Sequence, residues 1–345
     1  MGPAASVQAG TVRPAIARAL RAARRVLLVA HVDPDGDTLG GTLALALALR
    51  GLGVEAVVGS PGGVPPVFAF LPGAGEVVMA LPEEARFDVA VAMECGTLER
   101  CGVFAPHVTR TPLVVVIDHH ESAVPFGHLN DIDPQAAAVG EIVAALLETL
   151  EVPLTPPVAT ALLTAVATDT GVFRFPTVRP ATLRLAARLL EAGAPLDRIV
   201  REVYENRTPA AARLLGLALA RMVVTLDGAV AYTVVTDALR REAGAEGEET
   251  VGVIGLLRAV RGVRLAALFE ETDAGVRVSL RSRDGVRSHA IAARFGGGGH
   301  PGAAGCLLPG PLPEAVARVL EAAAEEVRLA ALGTGAARPV EEGLP

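Results

Sequence analysis

At 345 residues the chain is long for one domain and comfortable for two. Hydrophobic residues make up 51% and mean hydropathy is +0.44, enough for a large core, while the net charge of −7 excludes a basic protein that coats long duplex DNA. All 31 basic residues are arginine, so every positive contact is a planar, permanently charged fork, and short nucleic-acid substrates held in a local Arg-lined pocket stay open.

The N-terminal MGPAASVQAG lacks the basic and apolar regions of a signal peptide, and the very apolar TLALALAL (42–49) is too short to span a bilayer. Cys95, Cys101 and Cys306 form no CxxC and no even framework. A cytoplasmic protein with no membrane partner is expected.

In chain order, RRVLLVA (24–30), VEAVVGS (54–60), FDVAVAM (87–93) and PLVVVID (112–118) are β-branched runs of strand length. Helix-like stretches separate or follow them: 41–53, 137–150 and 158–173. Buried strands alternating with helices predict an α/β fold, a mostly parallel sheet with helices on both faces. The polar residues stand at the C-terminal ends of these strands, where such sheets gather ligands: His31 to Asp37, Glu94, and Asp118-His119-His120. Consecutive helical patterns follow over 181–222, and 196–221 is read as a helical connector between a catalytic domain, 1–195, and a smaller α+β domain, 222–330. In the latter, a DG turn joins two strand-like runs, VRLAALFEETDAGVRVSLRSR (263–283) pairs two more, and RSHAIAARFG and PEAVARVLEAAAEEVRLAAL read as helices. The Gly/Pro-containing tail, 331–345, is expected to be disordered.

Five clusters carry chemistry. In HVDPDGDTLG (31–40), His31, Asp33, Asp35 and Asp37 crowd together after a buried strand. Such crowding is costly unless a cation neutralises it, and imidazole with carboxylates suits Mn²⁺, Zn²⁺ or Fe²⁺. The plainer alternative is an Asx-rich loop in which Asp37 or Thr38 caps the next helix. DHH (118–120) ends another buried strand, and Glu94, ending a third, either bridges metals or pairs with Arg100. Asp169 is out of place in an Ala-rich helix unless it caps or binds metal. Finally, GGGGHPGAAG (296–305), with SLRSR upstream, joins Gly-loop amides to arginine forks as a phosphate cradle, against the alternative of a flexible linker.

These motifs, in this order over residues ~24–310, resemble the DHH phosphoesterase superfamily, and SLRSR with FGGGGHPGAAG resembles the C-terminal DHH-associated domain of its branch of oligoribonucleases and 3′-phosphoadenosine 5′-phosphate (pAp) phosphatases. The resemblance implies two Mn²⁺ ions, with Mg²⁺, Co²⁺ or Fe²⁺ as substitutes. It assigns His31 and Asp35 to one metal, Asp37, His119 and Asp169 to the other, and Glu94 to both. It places His120 beside the substrate phosphate, with Arg100 offsetting charge nearby, and makes Asp33 and Asp118 orienting groups. Arg281, Ser282, Arg283, Gly297, Gly298, Gly299 and His300 would bind substrate, with this domain closing over the site. The implied substrates are short single-stranded RNA or DNA oligonucleotides and pAp, and a homodimer is implied by the resemblance alone. The chain departs from the family pattern at Glu94, where Asp is usual, and in AAAVGE (136–141), where serines are often found. Other readings are a phosphodiesterase for linear or cyclic dinucleotide messengers, a RecJ-like exonuclease, a family II pyrophosphatase, and a degenerate nucleotide-binding module whose metal site has failed at Glu94.

Overall fold

The computed structural model describes residues 11–245, 250 and 252–334, leaving out the side chains of His300, Gly333 and Thr334. The chain divides into two compact units between Asn206 and Arg207. The expected connector is therefore no separate piece: 196–206 falls in the first unit and 207–221 in the second.

In the first unit, α1 (Arg13–Ala22), β1 (Arg25–Ala30), α2 (Gly36–Gly51), β2 (Glu55–Gly59), β3 (Val89–Met93), α3 (Ala105–Arg110), β4 (Leu113–Asp118) and β5 (Leu129–Ile132) follow in order. Then come α4 (Val139–Thr149), α5 (Pro156–Asp169), α6 (Pro180–Glu191) and α7 (Leu196–Val200). The five strands form one parallel sheet in the order β2-β1-β3-β4-β5. Alternate residues serve its two faces. Val26, Leu28, Val91, Met93, Val115 and Ile117 pack into the larger core with the helices α2, α4 and α5. Leu27, Val29, Ala90, Ala92 and Val116 pack with Phe87, Phe104 and Val108. That second face is covered by short α3 and a 3-10 turn (Leu98–Phe104) rather than by long helices. The helix read over 158–173 stops at Asp169, and β5 is too short and polar to stand out in sequence.

The second unit holds α8 (Pro209–Ala220), β6 (Val223–Thr225), β7 (Val230–Val235), α9 (Asp237–Ala243), α10 (Val253–Ala259), β8 (Leu265–Thr272) and β9 (Gly275–Ser282). It continues through α11 (Ser288–Ala293), β10 (Gly298–His300), β11 (Ala303–Leu308) and α12 (Leu312–Thr334). Its mixed sheet runs β10-β11-β9-β8-β7-β6, with only β7 and β8 parallel. One face packs on α11 and α12, the other on α8, α9 and α10. Residues 331–334, expected as part of a disordered tail, continue α12; 335–345 lie outside the described residues, as does the N-terminal segment 1–10. Among the described residues no helix is long and apolar enough to cross a membrane.

Candidate metal centre

Three strands of the parallel sheet end in the residues that matter. His31 follows β1, Glu94 follows β3, and His119 follows β4. Asp35 and Asp37 stand at the start of α2, and Asp169 ends α5. The close approach of α2 to α5 brings the last two together. A Cβ on Gly40 would lie 2.5 Å from the Ala161 carbonyl oxygen, so only glycine permits that spacing.

The donors fall into three groups, each with ligand atoms within 4.8 Å of one another: His31–Asp35–Glu94, Asp37–His119–Asp169 and Glu94–His119–His120. Glu94 and His119 each belong to two groups. The cluster is therefore continuous, with a carboxylate and an imidazole at its joints.

Each donor is oriented by a second contact. Asp35 caps α2, accepting the Thr38 N–H at 2.9 Å. The helix cap and the ligand are thus one residue, and it is Asp35 rather than Asp37 or Thr38. Asp37 is buried and accepts the N–H groups of Val139 (2.6 Å) and Gly140 (3.1 Å). Its carboxylate satisfies the start of α4, whose own N-cap, Ala138, supplies no side chain. His119 donates from Nδ1 to the Ala136 carbonyl at 3.1 Å. This turns Nε2 toward Glu94 Oε1 (3.0 Å), Asp37 Oδ2 (3.5 Å) and Asp169 Oδ2 (3.6 Å). Glu94 is buried with a left-handed backbone, φ +52°, and its Oε2 accepts the Thr38 hydroxyl at 2.7 Å. Arg100 is not its partner: the Arg100 carbonyl accepts the Val32 N–H at 3.0 Å, and its charge bears on His31.

Asp118 is wholly buried and holds the loops instead of joining a donor group. It accepts from the Gly96 N–H (3.0 Å), the His120 N–H (2.9 Å) and His120 Nδ1 (2.8 Å). Asp33 is exposed and in none of the three groups.

The electrostatics are those of a site lacking positive charge. Burial, then Glu94 and Asp169, push the Asp37 carboxyl well above its usual range. Burial, opposed by His119 and assisted by Glu94 and Asp35, raises Asp169 to about 7. Burial pulls His119 down, but Glu94, Asp37 and Asp169 around Nε2 override it and lift the ring to about 11. Burial would raise Glu94 too, yet the His119 hydrogen bond and charge bring it to about 2. His31 is lowered, mainly by burial, which keeps its imidazole neutral, and its buried Nδ1 has no hydrogen-bond partner. A neutral imidazole grouped with the Asp35 and Glu94 carboxylates suits a borderline divalent cation, and so does the whole donor set.

In the second unit, β9 alternates. Arg277, Ser279 and Arg281 lie on the face opposite the buried Val276, Val278, Leu280 and Ser282. Arg281 and Ser282 thus point apart. The Ser282 hydroxyl is buried among the Val286 carbonyl (2.6 Å), the Pro301 carbonyl (3.0 Å) and the Ser288 hydroxyl (2.8 Å). Arg283 donates to the carbonyls of Val263 (2.6 Å) and Val260 (3.2 Å). Ser282 therefore braces the loop that follows GGGGH, whereas Arg283 ties the end of β9 to the turn before β8. Gly298–His300 form the edge strand β10, paired with β11. A Cβ on Gly297 would lie 2.2 Å from the Gly305 carbonyl oxygen, and one on Gly299 2.5 Å from that of Ala303. At Gly298 a Cβ would meet nothing within 4 Å, so the protein itself sets no steric demand for glycine there. The His300 side chain lies outside the described residues. Ser279, level with Gly305 and so with Gly298 across the strands, is a polar residue the sequence reading passed over; only the alternation of SLRSR marks it.

Comparison with known proteins agrees with this division. Residues 25–167 match the DHH family, N-terminal domain, and residues 227–329 match the DHHA1 domain. The chain belongs to the DHH family. Within that family it is 39% identical to the bifunctional oligoribonuclease and PAP phosphatase NrnA of Thermus thermophilus over 321 residues, 90% of this chain and 93% of that protein. It is 27% identical to the protein of the same name from Bacillus subtilis, over 82% of this chain and 89% of the other. The fold is shared with the crystal structure of an exopolyphosphatase-related protein from Bacteroides fragilis, with a TM-score of 0.86, 23% identity, and coverage of 94% and 99% of the two chains.

Proposed function

We propose that the protein is a cytoplasmic, metal-dependent phosphoesterase. It hydrolyses very short oligoribonucleotides to nucleoside 5′-monophosphates and removes the 3′-phosphate of pAp to give AMP. The observation that carries this reading is the continuous donor cluster sharing Glu94 and His119, in which His31 joins Asp35 and Glu94. Relatives named for both activities support the substrate class. One chemistry serves both substrates: water adds to phosphorus, the P–O3′ bond breaks, and the 3′-oxygen takes up a proton.

His31, Asp35 and Glu94 would hold one divalent cation and Asp37, His119, Asp169 and Glu94 a second, with Mn²⁺ suited to the mixed imidazole and carboxylate donors. Two such cations supply Lewis acidity, which lowers the pKa of the attacking water and offsets charge growing on the phosphoryl oxygens. The chain's own residues do the positioning. Asp118 fixes the His120 ring through Nδ1, and His120 would stand beside the substrate phosphate. Burial pulls the His120 pKa down, but the Asp118 hydrogen bond and Glu94 raise it overall, so the ring stays cationic at higher pH than a free histidine. Arg100 adds positive charge on the β1 side. In the second unit, Arg281, Gly297 and the β10 edge, Gly298–His300, would bind nucleotide, with the room beside Gly298 admitting a phosphate or sugar and with Ser282 holding the loop.

The test uses purified protein with Mn²⁺, offered dinucleotides and pAp. Nucleoside monophosphates and AMP are the expected products. If neither substrate is hydrolysed, and Asp35→Ala and His119→Ala bind no less metal than the parent, the proposal is wrong.

A further inference from the structure

Glu94 is the residue in the cluster whose backbone is hardest to explain. Its φ of +52° lies in the left-handed region, which Asp and Asn tolerate better than other non-glycine residues. It is also one methylene longer than Asp, so its carboxylate has an extra rotatable bond to be fixed. Its two oxygens are in fact divided. Oε1 faces His119 Nε2 at 3.0 Å and His120 Nδ1 at 3.9 Å, while Oε2 accepts the hydroxyl of Thr38 at 2.7 Å.

Thr38 is well suited to fix it. It is fully buried in the first turn of α2. Its N–H donates to Asp35 Oδ1 at 2.9 Å, and its carbonyl accepts the Thr42 hydroxyl at 2.7 Å. The turn packs closely on its surroundings: a Cβ on Gly36, two residues earlier, would lie 2.5 Å from Thr168 of α5, with Phe68 on another side at 2.8 Å. One residue thus ties together the two carboxylates of the His31–Asp35–Glu94 group, Asp35 through its backbone and Glu94 through its side chain.

We propose that Thr38 is the positioning residue that lets a glutamate serve at the shared point of the metal centre, by holding Oε2 and so presenting Oε1 to the cations. The inference rests on the metal-centre reading above. Without the hydroxyl, Glu94 turns about its terminal bond, and the group that depends on one fixed oxygen loses affinity.

The test compares Mn²⁺ binding by equilibrium dialysis with metal analysis, together with the electron paramagnetic resonance signal of spin-coupled Mn²⁺ pairs. It uses the parent, Thr38→Val, Thr38→Ser, Glu94→Asp, and the Thr38→Val/Glu94→Asp double variant, each first shown to be folded by its melting transition in EDTA. Thr38→Val keeps the shape but not the donor and is expected to weaken the second Mn²⁺ by about 10–100-fold and to remove the coupled signal. Thr38→Ser is expected within about threefold of the parent, since its hydroxyl restores the bond. In the Glu94→Asp background, where the shorter side chain no longer reaches the hydroxyl, Thr38→Val is expected to change nothing further. An equal effect of Thr38→Val in both backgrounds, or a Thr38→Val protein that binds two Mn²⁺ as tightly as the parent, overturns the assignment while leaving the metal centre standing. A parent that binds no Mn²⁺ overturns both.

Discussion

Lowering the pH from 8 to 6 is expected to weaken cation binding at the Asp37–His119–Asp169 group by about 1000-fold. The magnitude follows from the protons that a cation must displace. His119, lifted to about 11, carries its Nε2 proton throughout this range. Displacing it makes binding about 10-fold weaker for each unit of falling pH, or about 100-fold across two units. Asp169, at about 7, is largely ionised at pH 8 and largely protonated at pH 6, which adds about another 10-fold. The Asp37 carboxyl is shifted in the same direction, so the figure is a lower bound. Titration calorimetry of the metal-free protein with Mn²⁺, in buffers of different ionisation enthalpy, counts the released protons directly. At least about one proton per cation at this group is expected at pH 8, and at least about two at pH 6. No proton release at pH 8, with affinity flat across the range, would refute the idea that His119 holds a proton where a cation belongs.

Three further outcomes follow from the packing and the charges. In EDTA, Asp169→Asn is expected to raise Tm by roughly 2–4 °C at pH 8, about 1 kcal/mol for a domain of this size, with the gain shrinking toward zero by pH 4. The sign follows from a folded pKa of about 7: the acid's stabilising contribution is full below its ordinary range and is lost as pH rises through 7, and because about a third of the side chain is exposed the shift is discounted. Gly40→Ala, whose Cβ would lie 2.5 Å from the Ala161 carbonyl oxygen, is expected to lower stability in urea by about 1–3 kcal/mol and to weaken Mn²⁺ binding as Asp37 and Asp169 part. Gly297→Ala should lower Tm by several degrees. Gly298→Ala should leave Tm within about 1 °C but raise KM for dinucleotides about 10-fold or more; an unchanged KM would remove Gly298 from the substrate contact.

What could be read in the sequence was whatever conflicts with burial. A carboxylate or histidine ending an apolar strand is expensive, so His31, Glu94 and His119 stood out from their neighbours without any coordinates. What could not be read depends on contacts far along the chain. Asp37 caps a helix that begins 102 residues later, and nothing in HVDPDGDTLG signals it. Thr38 looked like one more capping candidate because its partner, Glu94, is 56 residues away. The family resemblance set Ser282 beside Arg281 as a substrate contact, whereas the two-residue period of a strand turns its side chain from that of Arg281 toward the core. The division between Asn206 and Arg207, inside the expected connector, was unreadable for a similar reason: apolar periodicity announces a helix but not which of two cores its face will join.

The crowded carboxylates also bear on how the fold forms before any cation arrives. Each has a stand-in among the chain's own groups. The N-terminal amides of α4 take the charge of Asp37, the first turn of α2 takes Asp35, the Thr38 hydroxyl takes one oxygen of Glu94, and protonated His119 neutralises the other. Asp118 is spent on the loops themselves, through three N–H donors. The proton on His119 Nε2 lies among Glu94, Asp37 and Asp169, where a cation would sit. Metal loading at the Asp37–His119–Asp169 group therefore requires protons to leave, from His119 and, toward lower pH, from Asp169. His31 and the exposed Asp35, grouped with Glu94 but without His119, mark the side on which a cation binds without first evicting the His119 proton. The two halves of the centre should consequently fill in order, the His31–Asp35 half first and the His119 half only as the pH rises.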